Sequence, residues 1–323
     1  MTQRRLPKIF FVVPCFNEAE CLPETTKRLT KKLTALTKAR KISAQSKIVY
    51  VDDGSSDRTW EIISSLDSHI IGLKLAHNAG HQNALLAGLL YAKDHCDAAI
   101  SLDADLQDDI NVIDQFIAKF TSGAEIVYGV RSERKKDTFF KRHTALAFYK
   151  LMNLLGAHTI YNHADYRLMS QRALAELAKF KEVNLFLRGI VPLLGFSTAI
   201  VEYKRSERFA GKSKYPLSKM LNFAVDGITS FSVKPIRLIF SLGLLVSIIS
   251  LGVLIYAIIV KCLGRAISGW TFTVCSIWLL GGIQMIALGI IGEYIGKIYT
   301  EVKARPRYII ETIKGDKTHD RKI

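Results

Sequence analysis

An α/β fold built on a mostly parallel sheet, followed by a C-terminal pair of membrane-spanning helices, is the architecture the sequence predicts. Three observations carry it. Short apolar runs alternate with helical patterns five times over residues 8–130, which suits β-α-β units with helices on both sheet faces. Each apolar run ends in polar or acidic residues: Asn17 and Glu18, Asp52 and Asp53, Asn78, and Asp103 with Asp105. Two uncharged stretches, Leu238 to Val260 and Ala266 to Gly292, each exceed the ~20 residues that a bilayer-spanning helix needs.

In chain order, Lys8 to Val13 reads as the first strand. It is too short for a signal-peptide core and meets Pro14 and Glu18 at once. Pro23 to about Leu36 has helical apolar spacing, with Leu22, Leu29, Leu33 and Leu36 on one face. Lys47 to Val51 is the second strand and runs into Asp52-Asp-Gly-Ser-Ser-Asp57. Ser56 and Asp57 there read as helix caps, whereas two adjacent acids exceed what one cap needs. Thr59 to Leu66 is helical, and Ile70 to Leu75 is the third strand. Asn78-Ala-Gly-His-Gln-Asn83 then leads into a helix through Ala84 to Ala92. Ala98 to Leu102 is the fourth strand, Val112 to Phe120 a helix, and Glu125 to Val130 a fifth strand.

The fourth strand delivers the chemistry. Asp103, Asp105 and Asp108 follow it directly, with Gln107 among them. In an open α/β sheet, ligands bind at the carboxyl ends of the strands. Carboxylates at i and i+2 on such a turn can share one hard cation, which prefers oxygen ligands and bridges to substrate phosphates. A loop of solvated acids is the plainer alternative for an isolated Asp-x-Asp. No Gly-x-Gly-x-x-Gly and no Gly-x-x-x-x-Gly-Lys-Ser/Thr motif occurs, which argues against a nicotinamide enzyme and a P-loop NTPase.

Composition sets outer bounds. The 323 residues carry 45 Lys+Arg against 29 Asp+Glu, a formal charge of +16. A balance so basic suggests an anionic partner. Zinc-finger and RNA-binding signatures do not occur, so nucleic acid is not the expected partner. Cys15, Cys21, Cys96, Cys262 and Cys275 are odd in number and scattered, which gives neither a disulfide framework nor a zinc site.

From Arg131 the character changes. Arg131-Ser-Glu-Arg-Lys-Lys136 is a basic cluster, and Lys141 to Leu155 a mixed basic and apolar helix. His163 to Met169 leads to a helix from Arg172, and Val201 to Tyr203 is a short strand. Arg205 to Tyr215 is a basic loop whose Arg208, Lys212 and Lys214 can close over phosphates; a solvated or lipid-facing loop fits the composition equally. Pro216 to Val233 is amphipathic, which suits an interfacial helix next to a membrane segment, with a core helix as the alternative. Lys234, Arg237, Lys297, Lys303, Arg305 and Arg307 flank the outer ends of the two apolar stretches, while the turn between them has only Lys261 and Arg265. By the positive-inside rule both termini face the cytoplasm. The expected layout is a cytoplasmic α/β domain at 1–204, a basic loop and juxtamembrane helix at 205–234, two membrane helices at 235–296 and a basic cytoplasmic tail at 297–323. Gly281, Gly282, Gly289, Gly292 and Gly296 give the second span a small-residue face suited to close helix packing.

Taken together, Pro14-Cys-Phe-Asn-Glu18, Asp52-Asp-Gly-Ser-Ser-Asp57, Asp103-Ala-Asp-Leu-Gln107, Arg208-Phe-Ala-Gly-Lys-Ser-Lys-Tyr215 and the tail Gly292 to Tyr299 with Arg305-Pro-Arg-Tyr308 resemble the family 2 glycosyltransferases of GT-A fold. Within them the chain is most similar to the bactoprenol (undecaprenyl-phosphate) glucosyltransferases, and more distantly to dolichol-phosphate mannose synthases. The resemblance implies an inverting transfer of a sugar, glucose first, from a UDP-sugar to polyprenyl phosphate at the cytoplasmic face of a bacterial membrane. It implies that Pro14, Phe16, Glu18 and Asp53 line the nucleotide, with Asp103 and Ala104 beside them. Asp105 and Gln107 would lie nearest a Mg²⁺ or Mn²⁺ ion. Arg208 and Lys214 would hold the diphosphate, Arg131 and Arg142 the lipid phosphate, and Asp165 matches the acid assigned a catalytic part. Membrane lipids and further copies of the chain, as a homo-oligomer, are the other implied partners.

A phosphate monoester acceptor has a second pKa of ~6 and needs no strong base, so Asp165 is expected to orient rather than to accept a proton. N-acetylglucosamine or another sugar remains an alternative donor. A processive polysaccharide synthase would carry Gln-x-x-Arg-Trp, which none of Trp60, Trp270 and Trp278 fits. A non-catalytic membrane scaffold is the reading from another class.

Overall fold

A computed structural model of the chain describes residues 5–67, 69–132, 163–183, 185–204, 234–263 and 269–315. The predicted Arg142, Arg208 and Lys214, the helix at 141–155 and the juxtamembrane helix at 216–233 lie outside the described residues.

The chain begins with β1 (Ile9–Cys15), α1 (Leu22–Lys38), β2 (Lys47–Asp52), α2 (Thr59–Ser65), β3 (Ile70–Leu75), α3 (His81–Lys93) and β4 (Ala98–Ser101). A 3-10 turn (Ile110–Val112), α4 (Ile113–Thr121), β5 (Ile126–Arg131) and β6 (His163–Ser170) follow. Next come α5 (Gln171–Leu177), α6 (Leu187–Leu193) and β7 (Thr198–Tyr203), then α7 (Lys234–Cys262), α8 (Trp270–Lys303) and β8 (Ile310–Lys314). The eight strands form one sheet in the order β7-β5-β6-β4-β1-β2-β3-β8. β1 is parallel to β2 and β4, β2 to β3 and β5 to β7, whereas β4–β6, β5–β6 and β3–β8 are antiparallel. The mostly parallel sheet is therefore present, in mixed form.

Burial explains why the strands read as continuous apolar runs. Every residue of β1 is buried, with Ile9, Phe11, Val12 and Val13 fully so. That is the signature of a strand covered on both faces. α1 lays Leu22, Leu29 and Leu36 on one face of the sheet. The Pro23 at its first turn removes a backbone donor that would have had no helical partner there. α3 packs on β1 and β2, and Gly88 lets it approach, since a Cβ there would lie 2.4 Å from Val12 Cγ1.

Two strands were not legible as such. β6 has no alternation because Tyr166, Arg167, Leu168 and Met169 are all buried, and its fully buried arginine hides it further. β8 comes from the tail. Residues 305–315 belong with the sheet unit and not with the helices that precede them. Ala76 N–H donates to Ile309 O at 2.9 Å, Lys74 pairs with Glu311 at 3.0 Å, and Arg307 Nη1 donates to Phe180 O at 2.9 Å. Lys314 Nζ caps the carbonyls at the end of α2, reaching Ile63 O at 3.3 Å and also Leu66 O. The tail thus covers the β3 edge, which would otherwise present unpaired strand groups to other chains.

α7 and α8 run for 29 and 34 residues and touch each other. α8 continues to Lys303, past the expected end of the span. Large apolar side chains stand bare along both: Leu238, Phe240, Ile248, Leu279, Met285, Ile286 and Leu288 are all at least half exposed. Exposed apolar surface on this scale marks a protein–protein or membrane interaction site. Residues 279–303 form a helix long and apolar enough to cross a membrane.

Candidate active site

The strand order reverses at β1. From it the chain moves to β2 and β3 on one side and to β4 on the other, and the crevice at such a switch point is where open α/β sheets bind ligands. The exits of β1 and β2 are knitted together. Asp53 N–H donates to Cys15 O at 2.9 Å, Asn17 N–H to Ser55 Oγ at 3.0 Å, and Glu18 N–H to Thr59 Oγ1 at 2.9 Å. The N-cap of α2 is Arg58 rather than Asp57, which lies one residue ahead and accepts from Thr59 N at 2.9 Å. Ser56 does not cap; its N–H donates to Asn17 Oδ1 at 2.9 Å. Pro14 is buried in β1, Glu18 is half-buried, and Phe16 is exposed at 47% beside them, which leaves an aromatic face at the crevice. Pro14, Phe16, Glu18 and Asp53 are therefore brought together.

Asp53 also has structural work. Its two oxygens accept from Ala79 N at 2.7 Å and Gly80 N at 3.0 Å, which fixes the β3–α3 turn. Gly54 makes this possible: its φ is +65° and a Cβ would lie 2.6 Å from Asn78 N. Gly54→Ala is expected to cost more than ~1 kcal/mol and to displace the 77–80 turn. A lower melting temperature would report the contact, and an unchanged melt would refute it.

The second group gathers around β4 and β6. Their antiparallel register pairs Ser101 with Arg167; two residues further on, Asp103 comes opposite Asp165. Like charges facing each other across a ladder repel, and three cations offset this. Arg167, fully buried, pairs with Asp165. Arg188 Nη2 lies 3.0 Å from Asp165 Oδ2. His81 Nε2 lies 3.7 Å from Asp165 Oδ2 and 3.8 Å from Asp103 Oδ1. Gln82 Oε1 accepts from Leu187 N at 2.8 Å, which docks the start of α6, and hence Arg188, onto the first turn of α3.

The charges follow from these contacts. Burial alone would raise the Asp165 pKa, but Arg188, His81 and Arg167 outweigh it and hold the carboxyl well below the usual range. Burial would lower His81; the bond to Asp165 and the charge of Asp103 raise it instead. Asp103 is raised, by burial first and then by Asp165 and Asp105, against the pull of His81. Asp108 is pushed up to about 6 by burial and by Asp103, although it accepts a 2.6 Å bond from Tyr203 Oη.

Asp105 is buried, and its Oδ1 accepts from Gln107 N at 3.1 Å across Leu106, whose φ is +58°. This tight turn follows β4 directly. Ala104 is buried under it, its carbonyl accepting from Thr25 Oγ1 at 2.7 Å. Among the described residues no three His, Cys, Asp or Glu side chains form a metal cluster. The donors present are hard oxygens from the Asp103–Asp105 pair and the Gln107 amide. That set fits Mg²⁺ or Mn²⁺ of the kind held by one or two carboxylates and completed by substrate phosphate and water.

Arg131 ends β5, and its Nε donates to Tyr203 Oη at 3.2 Å. His81, Arg167, Arg188 and Tyr203 were not singled out from the sequence. His81, at the start of a helix after a strand exit, had the position of a site residue; Arg188, inside an apolar segment, carried no signal.

An open α/β sheet whose switch point collects these carboxylates and cations, in a chain with bare apolar helices, has the features of an enzyme site in a protein with an apolar helical unit. Comparison with known proteins agrees. Glycosyl transferase family 2 matches residues 10–178, and the GtrB C-terminal hairpin matches residues 234–298. The uncharacterized glycosyltransferase YkoT of Bacillus subtilis (strain 168) is 57% identical over 94% of this chain and 91% of its own length. The bactoprenol glucosyl transferase of Shigella phage SfX is 42% identical over 95% of this chain and 100% of its own. The prophage bactoprenol glucosyl transferase homolog of Escherichia coli (strain K12) is 41% identical over 95% and 99%. The chain belongs to glycosyl transferase family 2 and is a glycosyltransferase.

Proposed function

We propose that the enzyme transfers one glucose from UDP-glucose to polyprenyl phosphate, with inversion, at the cytoplasmic face of the bacterial membrane. The similarity along nearly the whole chain to proteins named bactoprenol glucosyl transferase carries this reading, and the site chemistry supports it. An acceptor phosphate oxygen forms the bond to the anomeric carbon while the carbon–oxygen bond to the diphosphate breaks, with the electron pair leaving on UDP. Mg²⁺ or Mn²⁺ at Asp105 and Gln107 would neutralise charge developing on that diphosphate. Pro14, Phe16, Glu18 and Asp53 hold the nucleotide, with Asp103 and Ala104 beside it. Arg208 and Lys214 contribute to the diphosphate, and Arg131 and Arg142 receive the lipid phosphate. Asp165, kept ionised by its three cations, orients groups and holds no transferable proton.

The path of the chain supports two membrane crossings. It leaves the sheet after β7 and re-enters it at β8, which favours an even number of crossings between them. With α8 as one span, α7 is the other, and both termini share the catalytic domain's side. Within this layout 1–204 is the catalytic domain and 235–296 the hairpin, and the 297–323 tail returns to the sheet through β8. The glycine face of α8 suits contacts between copies in a homo-oligomer.

The test is a donor panel with purified enzyme, undecaprenyl phosphate and Mg²⁺ or Mn²⁺, read by lipid mass. A single hexose added from UDP-glucose is the expected product. Exclusive use of UDP-N-acetylglucosamine would move the donor assignment, and a retained anomeric configuration would overturn single displacement.

A further inference from the structure

Arg131, Tyr203 and Asp108 form a chain of contacts in which the reaction just described gives a part to Arg131 alone. Asp108 and Tyr203 are 5% and 3% exposed. Tyr203 Oη lies 2.6 Å from Asp108 Oδ1 and 3.2 Å from Arg131 Nε. The direction of both bonds is fixed by chemistry. An arginine Nε can only donate, so the tyrosine oxygen accepts from it and gives its own proton to the carboxylate. The ring cannot turn away, because Tyr166 packs edge-on against it at 5.3 Å and 87°. The backbone repeats the clamp. Parallel pairing sets Arg131 beside Tyr203, and Ser132 donates to Tyr203 O from both N and Oγ, at 2.9 and 3.1 Å. At the other end, Asp108 follows directly on the Asp103–Gln107 turn, and its Oδ2 is buried with no hydrogen-bond partner. Among the described residues Tyr203 is the side-chain donor to that carboxylate, beside a backbone bond from Asp103.

We infer that Tyr203, anchored by Asp108, is a positioning residue that fixes the plane of the Arg131 guanidinium for the acceptor's phosphate and ties it to the turn that handles the donor. The inference rests on the reading of Arg131 as a ligand of the lipid phosphate. Bidentate recognition of a phosphate depends on the orientation of the guanidinium plane. An arginine at the end of a strand, free to rotate about its side-chain bonds, would lose part of its affinity to ordering. The tyrosine supplies that order before the acceptor arrives, a form of preorganisation.

Steady-state kinetics against both substrates tests this. Tyr203→Phe removes one oxygen and keeps the packing. It is expected to raise KM for undecaprenyl phosphate about tenfold, the size of one hydrogen bond to a charged group, with KM for UDP-glucose within about twofold of wild type. Arg131→Gln should raise the same acceptor KM, and the double variant should be no worse than Arg131→Gln alone. Asp108→Ala removes the tyrosine's acceptor, is expected to raise the same acceptor KM, and carries the test if Tyr203→Phe does not fold, whereas Asp108→Asn keeps an oxygen facing the tyrosine and should stay near wild type. Equal changes in both KM values, no change in either, or additive losses in the double variant would overturn the positioning role. An Arg131→Gln enzyme with normal acceptor KM would instead remove Arg131 from the lipid phosphate, and the inference with it.

Discussion

Asp165→Asn is expected to destabilise the catalytic domain by about 3–5 kcal/mol, the cost of breaking a buried ion pair from one side. Arg167 is fully buried and its nearest countercharge is Asp165. Arg188 and His81 lean on the same carboxylate. An amide in its place keeps the shape and leaves an uncompensated guanidinium inside the sheet. The expected result is a melt shifted down by many degrees. At temperatures where the variant is folded, it should retain a tenth or more of wild-type turnover, since the acceptor phosphate (second pKa ~6) needs no base. A loss of several thousandfold in folded protein, with substrate binding intact, would give Asp165 a direct chemical part.

The pH dependence separates the same alternatives. Asp165 has its folded pKa depressed, so its contribution is fully present above the unfolded value of ~3.9 and is lost as pH falls through the folded value. The difference in melting temperature between wild type and Asp165→Asn should therefore stay level from neutral pH down to about 4 and shrink only below. His81 is shifted the opposite way. Its contribution is complete below ~6.5 and fades as pH rises through the higher folded value. His81→Gln should accordingly lose most against wild type on the acidic side of neutrality. Melting curves from pH 4.5 to 8.5 check both, and a gap for Asp165→Asn that closes already near pH 6 would contradict the ionised, triply paired carboxylate.

How much of this was legible beforehand depends on which contacts are local. The strands from β1 to β5 and the helices between them were readable because each is a run of apolar residues with a polar exit. The Asp103–Gln107 turn was readable because its chemistry lies within five consecutive residues. The partners of Asp165 were not. His81, Arg167 and Arg188 reach it from α3, β6 and α6, and only the antiparallel insertion of β6 between β4 and β5 puts that carboxylate opposite Asp103. Tyr203 was visible as the end of a short strand, but its role depends on parallel pairing with β5, and no periodicity encodes which strand a given strand will join. The strand in the tail was hidden for a related reason. Basic residues at 303–307 fit a solvated cytoplasmic segment, while Ile310 and Ile313 pair with β3 from more than two hundred residues away.

Asp105→Asn is expected to have the opposite signature: a fall in kcat of about 10²–10³-fold, the scale for losing one preorganised stabiliser of transition-state charge, with little change in the melt. Asp105 Oδ1 accepts from Gln107 N at 3.1 Å, and an asparagine oxygen can accept the same bond and keep the Leu106 turn. What the substitution removes is a negative charge and a hard oxygen donor, which is what a divalent cation requires. Asp165→Asn strikes the fold because its carboxylate neutralises cations belonging to the protein; on the proposed function Asp105→Asn strikes turnover, because its carboxylate would hold a cation that arrives with the substrate. Wild-type enzyme stripped with EDTA should fall to the same level and recover on adding Mg²⁺ or Mn²⁺, while the stripped variant recovers only at much higher metal concentrations. Full turnover of wild type in EDTA would exclude the metal from the reaction and reduce Asp105 to a turn-forming residue, and a large drop in the variant's melting temperature would do the same for its assigned division of labour with Asp165.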